Sequence, residues 1–112
     1  NNDLENVNNW IKITENNIGN TSACKLPDSF TELFIKVNIS NMDIILFGII
    51  PYNILYSNSQ KAQSYRIGYY QTSTNGSGAI FTVNTSTFQF LNAFLNQSDV
   101  TSKTSWSLWY KK

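Results

Sequence analysis

The sequence contains no histidine and a single cysteine, Cys24, among its 112 residues. Without histidine, Ser–His and Cys–His catalysis and His-ligated zinc are excluded, and one cysteine allows no internal disulfide and no multi-cysteine metal site. The seven carboxylates form no paired motif and no Asp-x-Asp-x-Asp calcium pattern. We therefore expect a non-enzyme with no cofactor and no metal, in which Cys24 is a buried, inert thiol.

Charge is scarce as well. Charged residues make up 13% of the chain, about half of the ~25% that is usual for soluble proteins. The net charge of +1 provides no basic surface for nucleic acid or for an anionic membrane. The longest apolar run, Ile44–Ile50, is far shorter than the ~20 residues of a membrane-spanning helix. We expect no nucleic-acid partner and no membrane insertion.

What the chain does contain is an apolar pattern with a period of two, which is typical of strands. Apolar residues occupy alternate positions from Leu33 to Ile39 and again from Trp106 to Tyr110, and turn signals such as Asn75-Gly76 separate the strands. This pattern predicts an all-β fold: an antiparallel, jelly-roll-like β-sandwich of seven to eight short strands. The run Ile44–Ile50 is apolar on both faces and predicts a central strand. A bulge is expected near Asn92.

The length corresponds to about one domain. The polar segment of residues 1–9 has little to bury and is interpreted as a linker or the end of a preceding region, followed by a single domain over residues 10–112. Because the chain begins Asn1-Asn2-Asp3 without methionine, we expect a processed protein or a fragment of a longer protein, and we favour the fragment.

Aromatic residues amount to 14% of the chain. The default interpretation of each is packing in the core of a small sandwich. The alternative is an exposed ring that stacks on the apolar C–H face of a sugar, with neighbouring Asn, Gln or Asp side chains bonding the hydroxyls. The candidates for this binding role are Trp10, at the edge of the first strand, Trp109, which points opposite to Trp106, and the pair Tyr69 and Tyr70, one of which should face outward.

The second half of the chain shows a characteristic succession of strands and turns. Five segments follow one another in this half: the segment Tyr65–Tyr70, a small polar hairpin, the turn Asn84–Ser86, the segment Phe90–Asn96, and the aromatic and basic end Trp106–Lys112. Together with the segment Leu26–Val37, this succession resembles the β-sandwich domains that close tail fibre, baseplate or receptor-binding proteins of phages and prophages of low-GC Gram-positive bacteria. The resemblance spans residues 10–112. It implies a virion-associated, extracellular domain that binds the host surface and forms a homo-oligomer, a trimer by analogy.

These observations leave three functional hypotheses. The first is a non-catalytic binding module that recognises a cell-surface saccharide, with weak single-site affinity raised by multivalency. The second is a structural domain without a ligand, which caps or trimerises a fibre or decorates a capsid; part of Ile44–Ile50 would then lie in an oligomer interface. The third is a small hydrolytic domain, which the missing histidine and the unpaired carboxylates disfavour.

Overall fold

Two antiparallel sheets packed face to face make up the computed structural model, which describes residues 10–41, 44–55, 63–71, 76–84, 86–96 and 98–112. Its strands are β1 (Trp10–Ile18), β2 (Cys24–Lys25), β3 (Glu32–Asn38), β4 (Ile45–Pro51), β5 (Gln63–Gln71), β6 (Gly76–Val83), β7 (Thr87–Leu95), β8 (Ser98–Asp99) and β9 (Ser105–Lys111). One helical turn, α1 (Tyr52–Leu55), follows β4, and the 3-10 turns η1 (Ile39–Asn41) and η2 (Thr101–Lys103) precede β4 and β9. The predicted all-β sandwich is confirmed. Two of the described strands have only two residues, which accounts for the difference from the predicted number.

The strand order places the first and last long strands side by side. Sheet I has the order β1-β9-β3-β4, and sheet II has the order β2-β7-β6-β5 with β8 also paired to β7. The chain crosses between the sheets after β1, β2, β4 and β8, whereas β3–β4, β5–β6 and β6–β7 are antiparallel neighbours in one sheet. Two strands distant in sequence, β1 and β9, thereby pair with each other, and β9 lies between β1 and β3.

The core lies between the sheets and is built from alternate residues of the strands. From β3 the inward residues are Leu33, Ile35 and Val37, and from β9 they are Trp106 and Leu108. They pack against the buried residues of sheet II: Ala79, Phe81, Val83, Phe88, Phe90 and Ala93. The alternation predicted for both segments is confirmed. The predicted irregularity near Asn92 is also present, since Ile80 pairs with Asn92 and Phe81 with Phe90, so that Leu91 is the extra residue of a bulge.

The prediction of a central strand for Ile44–Ile50 is wrong. Within the described residues β4 pairs with β3 alone and forms an edge of sheet I. Its inward residues pack against the core, but the outward side chains of Ile45, Phe47 and Ile49 are 47%, 68% and 52% exposed. The residues of β4 are therefore apolar on both faces because one face packs on the core and the other is an exposed apolar surface, and not because both faces are buried.

Asp99 holds the turn that leads from β8 into η2. Its Oδ1 accepts hydrogen bonds from the Thr101 hydroxyl at 2.6 Å and from the Thr101 backbone N–H at 2.9 Å. Both hydrogen bonds favour the charged carboxylate and so lower the pKa of Asp99; the one from the hydroxyl has the larger effect and the one from the backbone N–H the smaller.

This lowered pKa predicts a loss of stability in acid. A carboxyl whose pKa is lower in the folded state than in the unfolded chain, where it is about 3.9, stabilises the fold above that value and loses its contribution as the pH falls through the folded pKa. We expect the free energy of unfolding to fall between neutral pH and pH 3 by a larger amount in the wild type than in Asp99→Asn. Urea unfolding of both proteins at the two pH values measures this, and an identical fall in both would contradict it.

Candidate functional site

The outward face of sheet I carries aromatic side chains from all four of its strands. Phe34 of β3 pairs with Trp109 of β9 on one side and with β4 on the other, and residues paired in this way share a face. Trp10 of β1 lies opposite Lys111, two residues beyond Trp109 on the same face of β9. Phe47 of β4 pairs with Lys36, two residues beyond Phe34. We call Trp10, Trp109, Phe34 and Phe47 the aromatic row.

Phe34 is the centre of the aromatic row. Its ring centroid is 5.3 Å from that of Trp109, 5.6 Å from that of Trp10 and 6.3 Å from that of Phe47. The ring planes of these pairs are tilted by 37° to 59°, and the distances lie within the range in which aromatic pairs attract one another. Phe47 is the most open member, whereas the other three are half-buried. The mutual packing fixes the positions of the rings before any ligand binds.

Charged groups border the aromatic row at its β1 and β9 end. The Lys111 ammonium lies 5.4 Å from the centroid of the Trp10 ring and 3.6 Å from Oε1 of Glu32. Lys12, on the same face, is paired with Glu15 at 2.8 Å. Lys111 therefore lies over one face of the Trp10 ring, and the most exposed ring of the row is that of Phe47, at the other end.

A shallow depression of about 300 Å³ lies at the other end of the aromatic row. It is lined by Phe34, Lys36, Ile45, Phe47 and Ile49. Its volume is at the lower end of the range for small-molecule sites, ~300–1,000 Å³. The lining is entirely apolar, with Lys36 contributing the hydrocarbon part of its side chain, so the depression suits a ligand with an apolar face.

The structure brings together two of the four predicted binding residues. Trp10 and Trp109 both contact Phe34, and Trp109 lies on the face opposite to Trp106, as predicted. Tyr69 and Tyr70 belong to β5, in the other sheet, and their side chains lie outside the described part of the chain.

Sequence reasoning missed Phe34 and Phe47 as site residues. The signal for Phe34 was present, because an inward Leu33 and Ile35 place the residue between them on the outward face. An aromatic residue at such a position is unusual on a face that ordinarily carries polar side chains. Phe47 gave no such signal, since its neighbours along the chain are apolar on both faces.

Metal-ligating side chains are dispersed over the described part of the chain. No group of three or more His, Cys, Asp or Glu side chains in the described ranges could hold a metal ion. Among these residues no helix is both long enough and apolar enough to cross a membrane. Glu32, the carboxylate beside the aromatic row, is already paired with Lys111.

Cys24 is half-buried, and burial raises the pKa of its thiol, partly offset by a backbone hydrogen bond from Phe88. A raised pKa lowers the thiolate fraction, and the thiolate is the reactive form. We expect alkylation by iodoacetamide at pH 8 to be at least about tenfold slower in the folded protein than in the urea-unfolded chain. Mass spectrometry of timed samples measures both rates, and equal rates would contradict the prediction.

Comparison with known proteins adds no relative. No family model, no curated protein and no solved structure matches the chain. The resemblance to phage tail domains therefore stays a prediction.

Proposed function

We propose that the chain is a non-catalytic binding module that recognises a cell-surface saccharide through the aromatic row. The observation that carries this proposal is the presence of four aromatic side chains on adjacent strands of an outward sheet face. The outward residues of a sandwich are ordinarily polar, and exposed apolar patches commonly mark interaction sites. Pyranose rings present apolar C–H faces, which pack on aromatic rings in water.

The dimensions of the aromatic row favour an oligosaccharide over a single sugar. The row crosses four strands, and the ring centroids of its outer members Trp10 and Phe47 lie 5.6 Å and 6.3 Å from that of Phe34, so they are no farther apart than the sum of these distances. Such a span accommodates more than one consecutive sugar ring. Lys36, Lys111 and Glu32 stand on the same face and supply hydrogen-bonding groups for hydroxyls. The net charge of +1 is compatible with a neutral glycan.

The setting that we propose for this module is the tail of a phage, exposed outside the cell. This part of the proposal is supported by the resemblance of residues 10–112 to phage tail domains. Several copies on one particle would convert weak contacts with a repetitive wall polymer into firm attachment, because the second and later binding events are intramolecular.

A structural role is the second candidate. It is favoured by the outward side chains of Ile45, Phe47 and Ile49, because exposed aliphatic residues are more typical of protein interfaces than of sugar sites. In that case the domain would cap or assemble a fibre and bind no ligand.

Cell binding distinguishes the two candidates. Fluorescently labelled domain is incubated with a panel of low-GC Gram-positive cells, in the presence or absence of purified wall polysaccharides. Saturable binding that one polysaccharide competes away is the expected result. A domain that is folded by circular dichroism but ignores every cell and every polysaccharide would contradict the saccharide proposal and favour the structural role.

A further inference from the structure

The exposed edge of β4 has few of the features that usually prevent edge strands from pairing with other chains; the one it has is Pro51, at its last position. β4 has no charged residue and keeps an unbroken register with β3 along its length. The opposite edge of sheet I, β1, has two register shifts and the charged residues Lys12 and Glu15, and the β5 edge of sheet II has a register shift and Arg66. The remaining edge strands, β2 and β8, have two residues each. Bulges, charges, proline and short length are devices that protect edges, and β4 has only the proline at its end, so among the described edges β4 is the least protected one.

Two hydrogen bonds at the ends of β4 show which of its backbone groups face this edge. The N–H of Ile39 donates to the C=O of Ile44 at 3.0 Å, and the N–H of Tyr52 donates to the C=O of Thr31 at 2.8 Å. In an antiparallel pair the bonded positions alternate along each strand. Since positions 44 and 52 are both bonded, the even-numbered residues of β4 bond to β3.

The odd-numbered residues consequently direct their backbone groups away from β3. Ile45, Phe47 and Ile49 each present an N–H and a C=O to the edge, whereas Pro51 has no N–H to present. No described strand pairs with this edge. The N–H and C=O groups of Ile45, Phe47 and Ile49 are therefore spaced two residues apart, in the pattern that another antiparallel strand would bind.

We infer that this edge pairs with β4 of a second copy of the chain, in antiparallel orientation about a two-fold axis at Phe47. In this register Phe47 lies opposite Phe47 of the second copy, and Ile45 lies opposite Ile49 of the second copy. Each of the three N–H groups then reaches a C=O of the other copy, and every edge-facing donor of both strands is bonded. The two four-stranded sheets become one continuous sheet.

The lack of charged residues in this segment and the direction of its outward side chains both favour a second copy of the chain over a charged partner. Residues 44–55 contain no charge, so two copies bury none at the junction, and the net charge of +1 per chain gives little repulsion. Directly paired residues share a face, so the outward Ile45, Phe47 and Ile49 of both copies form one apolar stripe. The Phe47 pair joins the two aromatic rows end to end. The association requires no saccharide, so this inference and the proposed function fail separately.

Sedimentation velocity of the purified chain over a range of concentrations tests the inference. The wild type is expected to sediment as a two-copy species. Phe47→Pro removes the N–H at the two-fold axis, which does not bond to β3, and is expected to weaken association at least about tenfold. Phe47→Ala keeps that N–H and serves as the matched control, with a smaller loss. A wild type that sediments as a monomer or a trimer would overturn the inference, as would a proline variant that associates like the wild type.

Charged substitutions at Phe47 provide a second test, which does not depend on the proline variant. The Phe47 side chain is 68% exposed, so Phe47→Lys and Phe47→Glu should both fold. Each variant alone places like charges opposite one another at the axis and is expected to be monomeric, while an equimolar mixture is expected to regain the two-copy species. A mixture that stays monomeric, or single variants that associate as the wild type does, would show that β4 is not the interface.

Discussion

Replacement of Trp106 by alanine is expected to lower the free energy of unfolding by about 3–5 kcal/mol. The side chain is 1% exposed and lies nearly parallel to Phe90, with ring centroids 5.7 Å apart, and 5.2 Å from the ring of Phe88. Its indole N–H donates to the backbone C=O of Asn20 at 2.8 Å. Alanine would leave a cavity between the two sheets and an acceptor without its donor. Because domains of this size have a total stability of about 5–15 kcal/mol, such a loss would bring the chain close to unfolding.

Chemical denaturation followed by far-ultraviolet circular dichroism measures this loss. Trp106→Phe keeps a ring against Phe90 but removes the N–H, so we expect it to cost less, about 1–3 kcal/mol. Ile18→Ala, at a side chain that is 62% exposed, should stay within about 0.5 kcal/mol of the wild type and is the surface control. An alanine variant at Trp106 that is no less stable than the Ile18 variant would show that the indole does not hold the sheets together.

The sequence predicted the inward and outward sides of β3 and β9 correctly because the pleat of a strand has a strict period of two. One residue of known orientation therefore fixes the orientation of the others, as it does for Leu33–Val37 and for Trp106–Tyr110. This local rule also predicted that the side chains of Trp106 and Trp109 point to opposite faces of the sheet. It requires no knowledge of neighbouring strands.

The position of a strand within its sheet does not follow from such a rule. Ile44–Ile50 has the composition expected of a strand that is covered on both faces, yet β4 lies at an edge. Whether a strand is central or at an edge depends on which distant segments pair with it. Here β9 pairs with β3 on the side opposite to β4, and no described strand pairs with β4 on its outer side.

The candidate site was only partly predictable for the same reason. Trp10 and Trp109 are near opposite ends of the chain and meet at Phe34 because β9 lies between β1 and β3. Their individual candidacy came from residue type and alternation, but their proximity is a consequence of topology. The contribution of Phe47 depends on both the edge position of β4 and its register with β3.

Replacement of Trp109 by alanine is expected to weaken saccharide binding by about 30-fold, equivalent to about 2 kcal/mol. Trp109 packs against Phe34 at the centre of the aromatic row, on the β9 strand that separates Phe34 from Trp10. Tryptophan supplies the largest apolar surface of any side chain at low cost in conformational entropy, which is why it dominates many binding sites. Its loss would also remove the ring that holds Phe34 in place from one side.

Titration of the domain with the polysaccharide that competes for cell binding measures this effect. Trp109→Phe retains an aromatic surface and should lose less affinity than the alanine variant, whereas Ile18→Ala, at the far end of β1 from Trp10, should bind as the wild type does. Circular dichroism and urea unfolding of each variant separate a loss of binding from a loss of folding, because the half-buried Trp109 also contributes to stability. If a folded alanine variant keeps the wild-type affinity, the aromatic row is not the saccharide site, and its exposed surface is better explained by contact between protein chains.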